Sequence, residues 1–138
     1  MQIDGQTIGD VIDTFELLDD WEERYRMVID LGRHLPKMAD EDYNEVNKVR
    51  GCTSQVWIVH DVDADGKIHF RGDSDAHIVK GLVAILLLIY SGKSADEIKA
   101  IDAKAMMAKL ELGQALSPMR TNGLYSMVAR IKDVAASA

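Results

Sequence analysis

Nine consecutive apolar residues, Leu82-Val83-Ala84-Ile85-Leu86-Leu87-Leu88-Ile89-Tyr90, set the tightest constraint on how this chain folds. A helix through them is apolar on every side, so other elements must enclose it. The run is too short for a bilayer, which takes about 20 such residues. A helix buried between a sheet and further helices covers it. The helical stretch extends over residues 76–91, and Gly92 ends it. Asp73-Ser74-Asp75 comes just before, with side chains of the kind that satisfy free N–H groups at a helix start. All three are therefore expected at the N-terminus of this central helix.

The sheet is expected ahead of that helix. Ser54-Gln55-Val56-Trp57-Ile58-Val59 is rich in β-branched and aromatic residues, and Lys67-Ile68-His69-Phe70-Arg71 alternates polar and apolar. Between them, Asp61-Val62-Asp63-Ala64-Asp65-Gly66 ends in an Asp-Gly pair and reads as a hairpin turn. The same six residues match the first half of an EF-hand calcium loop. The match breaks at the twelfth position, which is Gly72 and not Glu, and strands flank it in place of helices. A turn is the better account, and no metal is expected.

Helices make up the rest. Ile8, Val11, Ile12, Phe15 and Leu18 recur at helical spacing; Asp20 then caps a second helix carrying Trp21, Tyr25, Val28, Ile29 and Leu31. Gly32 and Leu35-Pro36 close it, and its Trp and Tyr read as core. Residues 37–44 are acidic and expected to be irregular and solvated; residues 45–49 are read as a short strand. Ser94-Ala95-Asp96-Glu97 opens a short helix as a capping box, and residues 102–110 form another, with Met106, Met107 and Leu110 as core filler. Ser117 is read as the N-cap of a last helix with Pro118 at its first position, running through Leu124, Met127, Val128 and Ile131.

With 47% apolar and 28% charged residues over 138 positions, the chain is expected to form one globular domain, residues 1–138. A net charge of −7 argues against non-specific nucleic-acid binding and against an acidic membrane surface. Met1-Gln2-Ile3-Asp4-Gly5 has neither a basic region nor an apolar run, so no secretory signal is expected. Cys52 is the only cysteine, which excludes an intramolecular disulfide and a Cys-based zinc site. That usage suits a reducing, cytoplasmic compartment.

Cys52 follows Gly51 and precedes small polar residues, so it lies on a bend with the first strand behind it. Reactive groups are often carried in this way, on a loop with a rigid sheet behind it. A lone cysteine is also commonly a small buried hydrophobe. Arg120 stands out in the last helix, because a cation in a first turn opposes the macrodipole by roughly 0.3–1 kcal/mol. It serves a site or is a tolerated surface residue.

Three blocks carry a resemblance. They are Lys48-Val49-Arg50-Gly51-Cys52-Thr53-Ser54-Gln55-Val56-Trp57, then Gly72-Asp73-Ser74-Asp75-Ala76 with Ile78-Val79-Lys80-Gly81-Leu82, then Arg120-Thr121-Asn122-Gly123-Leu124. In this order and approximate spacing they resemble the SufE/CsdE family of sulfur-acceptor proteins. Trp21-Glu22-Glu23-Arg24-Tyr25, Leu31-Gly32 and Leu35-Pro36 resemble its N-terminal helices, so the likeness covers essentially the whole chain. Thr53 and the aspartate-rich turn depart from the family pattern and leave the thiol in place.

The resemblance implies an α+β fold, a small antiparallel sheet of about three strands with helices packed on one face. It implies a carrier and not an enzyme: Cys52 takes persulfide sulfur from a pyridoxal-phosphate-dependent cysteine desulfurase of the SufS/CsdA kind. It stimulates that desulfurase and passes sulfur toward an iron–sulfur scaffold or other acceptor, with no cofactor of its own. Gly51 supports the cysteine bend, and Asp73, Asp75 and Arg120 are expected around the docking surface; helix capping by the two aspartates is the plainer alternative. Two other readings stand beside the relay. One is a Cys–His thiol enzyme using His60, His69 or His77 as base. The other is a desulfurase-binding regulator in which Cys52 is structural.

Overall fold

The computed structural model describes residues 1–52, 54–110 and 118–138, with the side chains of 118 and 119 set aside. Thr53 and the N-cap assigned to Ser117 lie outside the described residues. The elements are helices α1 (Ile8–Leu17) and α2 (Trp21–Arg33), strands β1 (Val56–Val62) and β2 (Lys67–Ser74), helix α3 (His77–Tyr90), strand β3 (Lys93–Ser94), and helices α4 (Ala95–Ala100), α5 (Ala103–Leu110) and α6 (Pro118–Ser137). The fold is α+β, with a three-stranded antiparallel sheet in the order β1-β2-β3.

Helix α3 is the centre the apolar run calls for. Every residue from Ile78 to Tyr90 is buried except Lys80. Helix α2 crosses one side of it at two glycines. A Cβ on Gly81 would fall on the backbone carbonyl of Val28, and one on Gly32 would come within 2.6 Å of the Gly81 nitrogen. The sheet covers another side with Val56, Ile58, Ile68 and Phe70. Gly72 of β2 lies so close to α3 that a Cβ would stand 2.8 Å from Val83. Leu124, Met127, Val128 and Ile131 of α6 complete the enclosure.

The hairpin forms as expected, with both strands longer than their apolar patterns and the turn confined to residues 63–66. Asp63 organises it. One carboxylate oxygen accepts from the amides of Asp65 (2.9 Å) and Lys67 (3.0 Å), the other meets His69 Nε2 at 2.8 Å, and Gly66 takes φ +79°. Of the aspartates that echo a calcium loop, Asp63 is thus the turn acceptor, and Asp61 pairs with Arg71 at 3.1 Å.

Three expectations need correction. Asp73-Ser74-Asp75 does not cap α3. β2 continues to Ser74 because the pairs Trp57↔Asp73 and Val56↔Ser74 extend the ladder, and the N-cap is Ala76, which makes no side-chain cap bond. Ladder pairing, backed by burial of Ser74, prevails over local capping preference. Residues 37–44 are not simply solvated. Met38 is buried, Asp40–Asp42 form a 3-10 turn, and Tyr43 meets Trp57 edge-on at 5.0 Å. Residues 45–49 form no strand; one bridge, Lys48↔Trp57, is made, and Val46 is 81% exposed.

The short elements follow their caps. Ser94 and Glu97 form the capping box of α4, and the two-residue strand β3, too short to show in the pattern, pairs with Lys67 and Ile68. Among the described residues no helix is long and apolar enough to cross a membrane.

Candidate functional site

Cys52 lies where the connection into β1 passes over α6. The root of that connection is tied to the strand by Val49 N–H to Val56 O (2.8 Å) and Ile58 N–H to Asn47 O (3.0 Å). Gly51 then takes φ +90°, a left-handed conformation that favours glycine. It also lies so near α6 that a Cβ would stand 2.5 Å from Ser126 Oγ. The next residue sets its thiol against Gly123 of α6, with Sγ 3.5 Å from the Gly123 carbonyl oxygen. A Cβ at 123 would stand 3.5 Å from Sγ, in ordinary contact with the thiol.

The resulting crevice is tight, about 10 Å³, close to the minimum that holds one water. Val79 and Leu82 of α3 and Gly123, Leu124 and Met127 of α6 form its apolar walls, and Ser54 and Arg120 supply polar groups. Such a space is of single-atom size and does not admit an organic substrate. Burial pushes the Cys52 thiol above its ordinary pKa, so at neutral pH it rests protonated.

Arg120 reaches from α6 to α2, where its Nη1 donates to the Tyr25 hydroxyl at 2.9 Å. Tyr25, read from sequence as core, is therefore a polar neighbour of the crevice. Asp75 is joined to the cysteine connection through Gln55: its carboxylate accepts from the Gln55 amide (3.0 Å) and side chain (3.2 Å), and the Asp75 amide donates to Gln55 O (3.2 Å). Asp73 does not line the crevice. It accepts from Tyr43 at 2.5 Å and pairs with Lys80 at 3.2 Å. Burial and that bond push Tyr43 up to about 12. The structure thus gathers Cys52, Gly51 and Arg120, attaches Asp75 through Gln55, and leaves Asp73 outside.

None of the histidines lines the crevice among the described residues. His60 is exposed on β1, His69 is held by Asp63, and His77 is exposed at the start of α3. One group of possible metal donors occurs among the described residues, Asp4, Asp30 and His34. All three are exposed, and none belongs to the crevice.

Ser126 and Arg130 were missed in sequence. Arg130 donates to Val46 O (2.8 Å) and reaches Lys48 O (3.5 Å), at the root of the cysteine connection. The available signal was spacing, since Gly123, Ser126 and Arg130 fall on one helical face.

The family profile described as SufE, an Fe-S metabolism associated domain, matches residues 9–135. The chain belongs to the SufE family. This SufE-family chain is 52% identical over 132 residues to an uncharacterized SufE-like protein of Rhizobium etli, covering 94% of the chain and 89% of that relative. It is 50% identical over 132 residues to an uncharacterized SufE-like protein of Rhizobium meliloti, covering 94% of each. Its fold is also that of a hypothetical protein from Thermus thermophilus solved in solution. The TM-score is 0.76 at 19% identity, over 95% of this chain and 94% of the other. The family association places the chain in Fe–S metabolism.

Proposed function

We propose that this protein is a sulfur carrier, one domain over residues 1–138, acting in the cytoplasm with a pyridoxal-phosphate-dependent cysteine desulfurase. Cys52 is the acceptor. Its thiolate attacks the terminal sulfur of the desulfurase persulfide; the new S–S bond forms as the old one breaks, and the desulfurase cysteine leaves as thiolate. Electrons balance within this exchange, so the carrier requires no cofactor or outside oxidant, and an iron–sulfur scaffold or similar acceptor then removes the sulfur.

The observation that carries this reading is the one-atom crevice around Cys52, within the sequence block that marks the family. A hydrolytic thiol enzyme would need a substrate-sized pocket and a base. The crevice has neither a substrate's volume nor a histidine among the described residues. Because the resting thiol is protonated and half-buried, it must move out and ionise at the partner. Gly51 gives the bend its conformation. Arg120, which lines the crevice, stabilises the anionic persulfide by charge-assisted hydrogen bonds. Asp73 and Asp75 belong to the surrounding docking face.

Desulfurase turnover at sub-saturating carrier tests the reading. Wild type stimulates, Cys52→Ser does not, and Arg120→Ala stimulates less at a temperature at which it remains folded. Full stimulation by Cys52→Ser would leave a regulator with a structural cysteine. Undiminished stimulation by Arg120→Ala would reduce that residue to surface.

A further inference from the structure

The face of α6 under the cysteine connection reads as a rail. Gly123, Ser126 and Arg130 stand at positions i, i+3 and i+7, on one side of the helix. In that order they meet Cys52, Gly51, and the carbonyls of Lys48 and Val46. The connection therefore runs antiparallel to α6 along more than a turn of it.

The three contacts differ in kind. Gly123 and Ser126 set only how near the chain lies. The thiol contact at 3.5 Å is weak, and the Ser126 hydroxyl donates to Asn122 O within its own helix. Apolar packing holds the root at one end only. Val49 is 4% exposed and belongs to the core, whereas Val46 is 81% exposed, and a hollow of about 260 Å³, lined by Val49, Arg50, Ser126, Arg130 and Asp133 among others, lies beside the connection. The backbone bonds of Asn47 and Val49 tie the root to β1 and set its direction. At the start of the root the tie to α6 is the Arg130 guanidinium, with a short bond to Val46 O (2.8 Å) and a longer contact to Lys48 O (3.5 Å).

We propose that Arg130 is a positioning residue for Cys52: by holding the Val46 and Lys48 carbonyls to α6, it keeps the thiol seated in its crevice. The chain between the Val49 and Val56 rungs is short, so a root that drifts from α6 carries Cys52 with it. Arg130 in this role sets the balance between the sheltered thiol and the presented one. The meaning of that balance for sulfur transfer rests on the function proposed above; the contact itself does not.

The experiment is alkylation of Cys52 by iodoacetamide in the full chain, with no desulfurase present, so its outcome is independent of whether Cys52 carries sulfur. Wild type, Arg130→Met and Arg130→Lys are compared across pH, with and without sub-denaturing urea, alongside thermal melts. Loss of charge-assisted bonds at a partly exposed site is expected to speed alkylation of R130M by roughly three- to tenfold. R130K, which keeps a charge but loses the fork, falls between. The alkylation profile of R130M also moves to lower pH, toward an ordinary thiol, as Cys52 leaves its burial. The gain is insensitive to mild urea, as local opening exposes little surface. Wild-type rates in both variants would overturn the proposal. So would a gain that grows with urea in step with global unfolding. Should R130M fail to fold, R130K carries the test alone, and a wild-type rate there overturns the bidentate hold.

Discussion

At Cys52 two requirements of the proposed transfer oppose each other. Its attacking species is the thiolate, yet the crevice favours the thiol, because apolar walls from α3 and α6 penalise the charge. The raised pKa means that the folded state holds this proton more tightly than the unfolded chain. Its contribution to stability is complete below the ordinary thiol pKa and is lost as pH rises through the raised value. Alkylation of native Cys52 should therefore climb with pH along a curve displaced upward from that of the same protein in denaturant. Coincident curves would show an unburied thiol. Sequence already marked the bend at Gly51 and the anomaly of Arg120, because each breaks a local rule of backbone or dipole. Tyr25 and Arg130 break no rule. Their polar ends matter through partners 95 and 82–84 residues away, which no local pattern encodes. Asp73 and Asp75 followed the capping rule closely, and the strand overrode it through long-range pairing.

Among the elements, α3 was readable because a fully apolar run has one physical solution, enclosure. The way α2 encloses it was not readable, since Gly32 and Gly81 show their purpose only where the helices cross. Gly81→Ala tests that crossing. The new methyl would meet the Val28 carbonyl, a backbone obstacle that cannot rotate aside. Overpacking costs roughly 1–3 kcal/mol or more, against a gain in helix propensity of about 1 kcal/mol. With backbone in the way the upper end applies, and a net loss of about 2 kcal/mol is expected in urea denaturation. Unchanged or increased stability would mean that the helices do not cross this closely. The hairpin was legible from alternation and its Asp-Gly turn. The packed state of Met38 and Tyr43 was not, because the acidic residues around them mask two inward-facing side chains in an otherwise polar stretch.

For the whole molecule, α3 acts as the common support. It backs the sheet, receives α2 at the glycine crossing, and lends Val79 and Leu82 to the crevice that α6 closes. The thiol therefore sits at a junction of α3 and α6, on a connection rooted in β1, where it is sheltered. Family-level likeness brought these segments together from sequence because the blocks at Cys52, Gly72 and Arg120 correspond to the connection, the β2–α3 junction and the start of α6; the burial of the thiol between α3 and α6 was not legible there. The central claim is that the sheltered thiol takes up sulfur and gives it back, and intact-protein mass addresses it most directly. After incubation with a pyridoxal-phosphate cysteine desulfurase and cysteine, the wild-type protein should gain the mass of one or more sulfur atoms, reversibly with a reducing thiol, and Cys52→Ser should gain none. A wild-type mass that does not change, or a gain that survives in Cys52→Ser, would contradict the account.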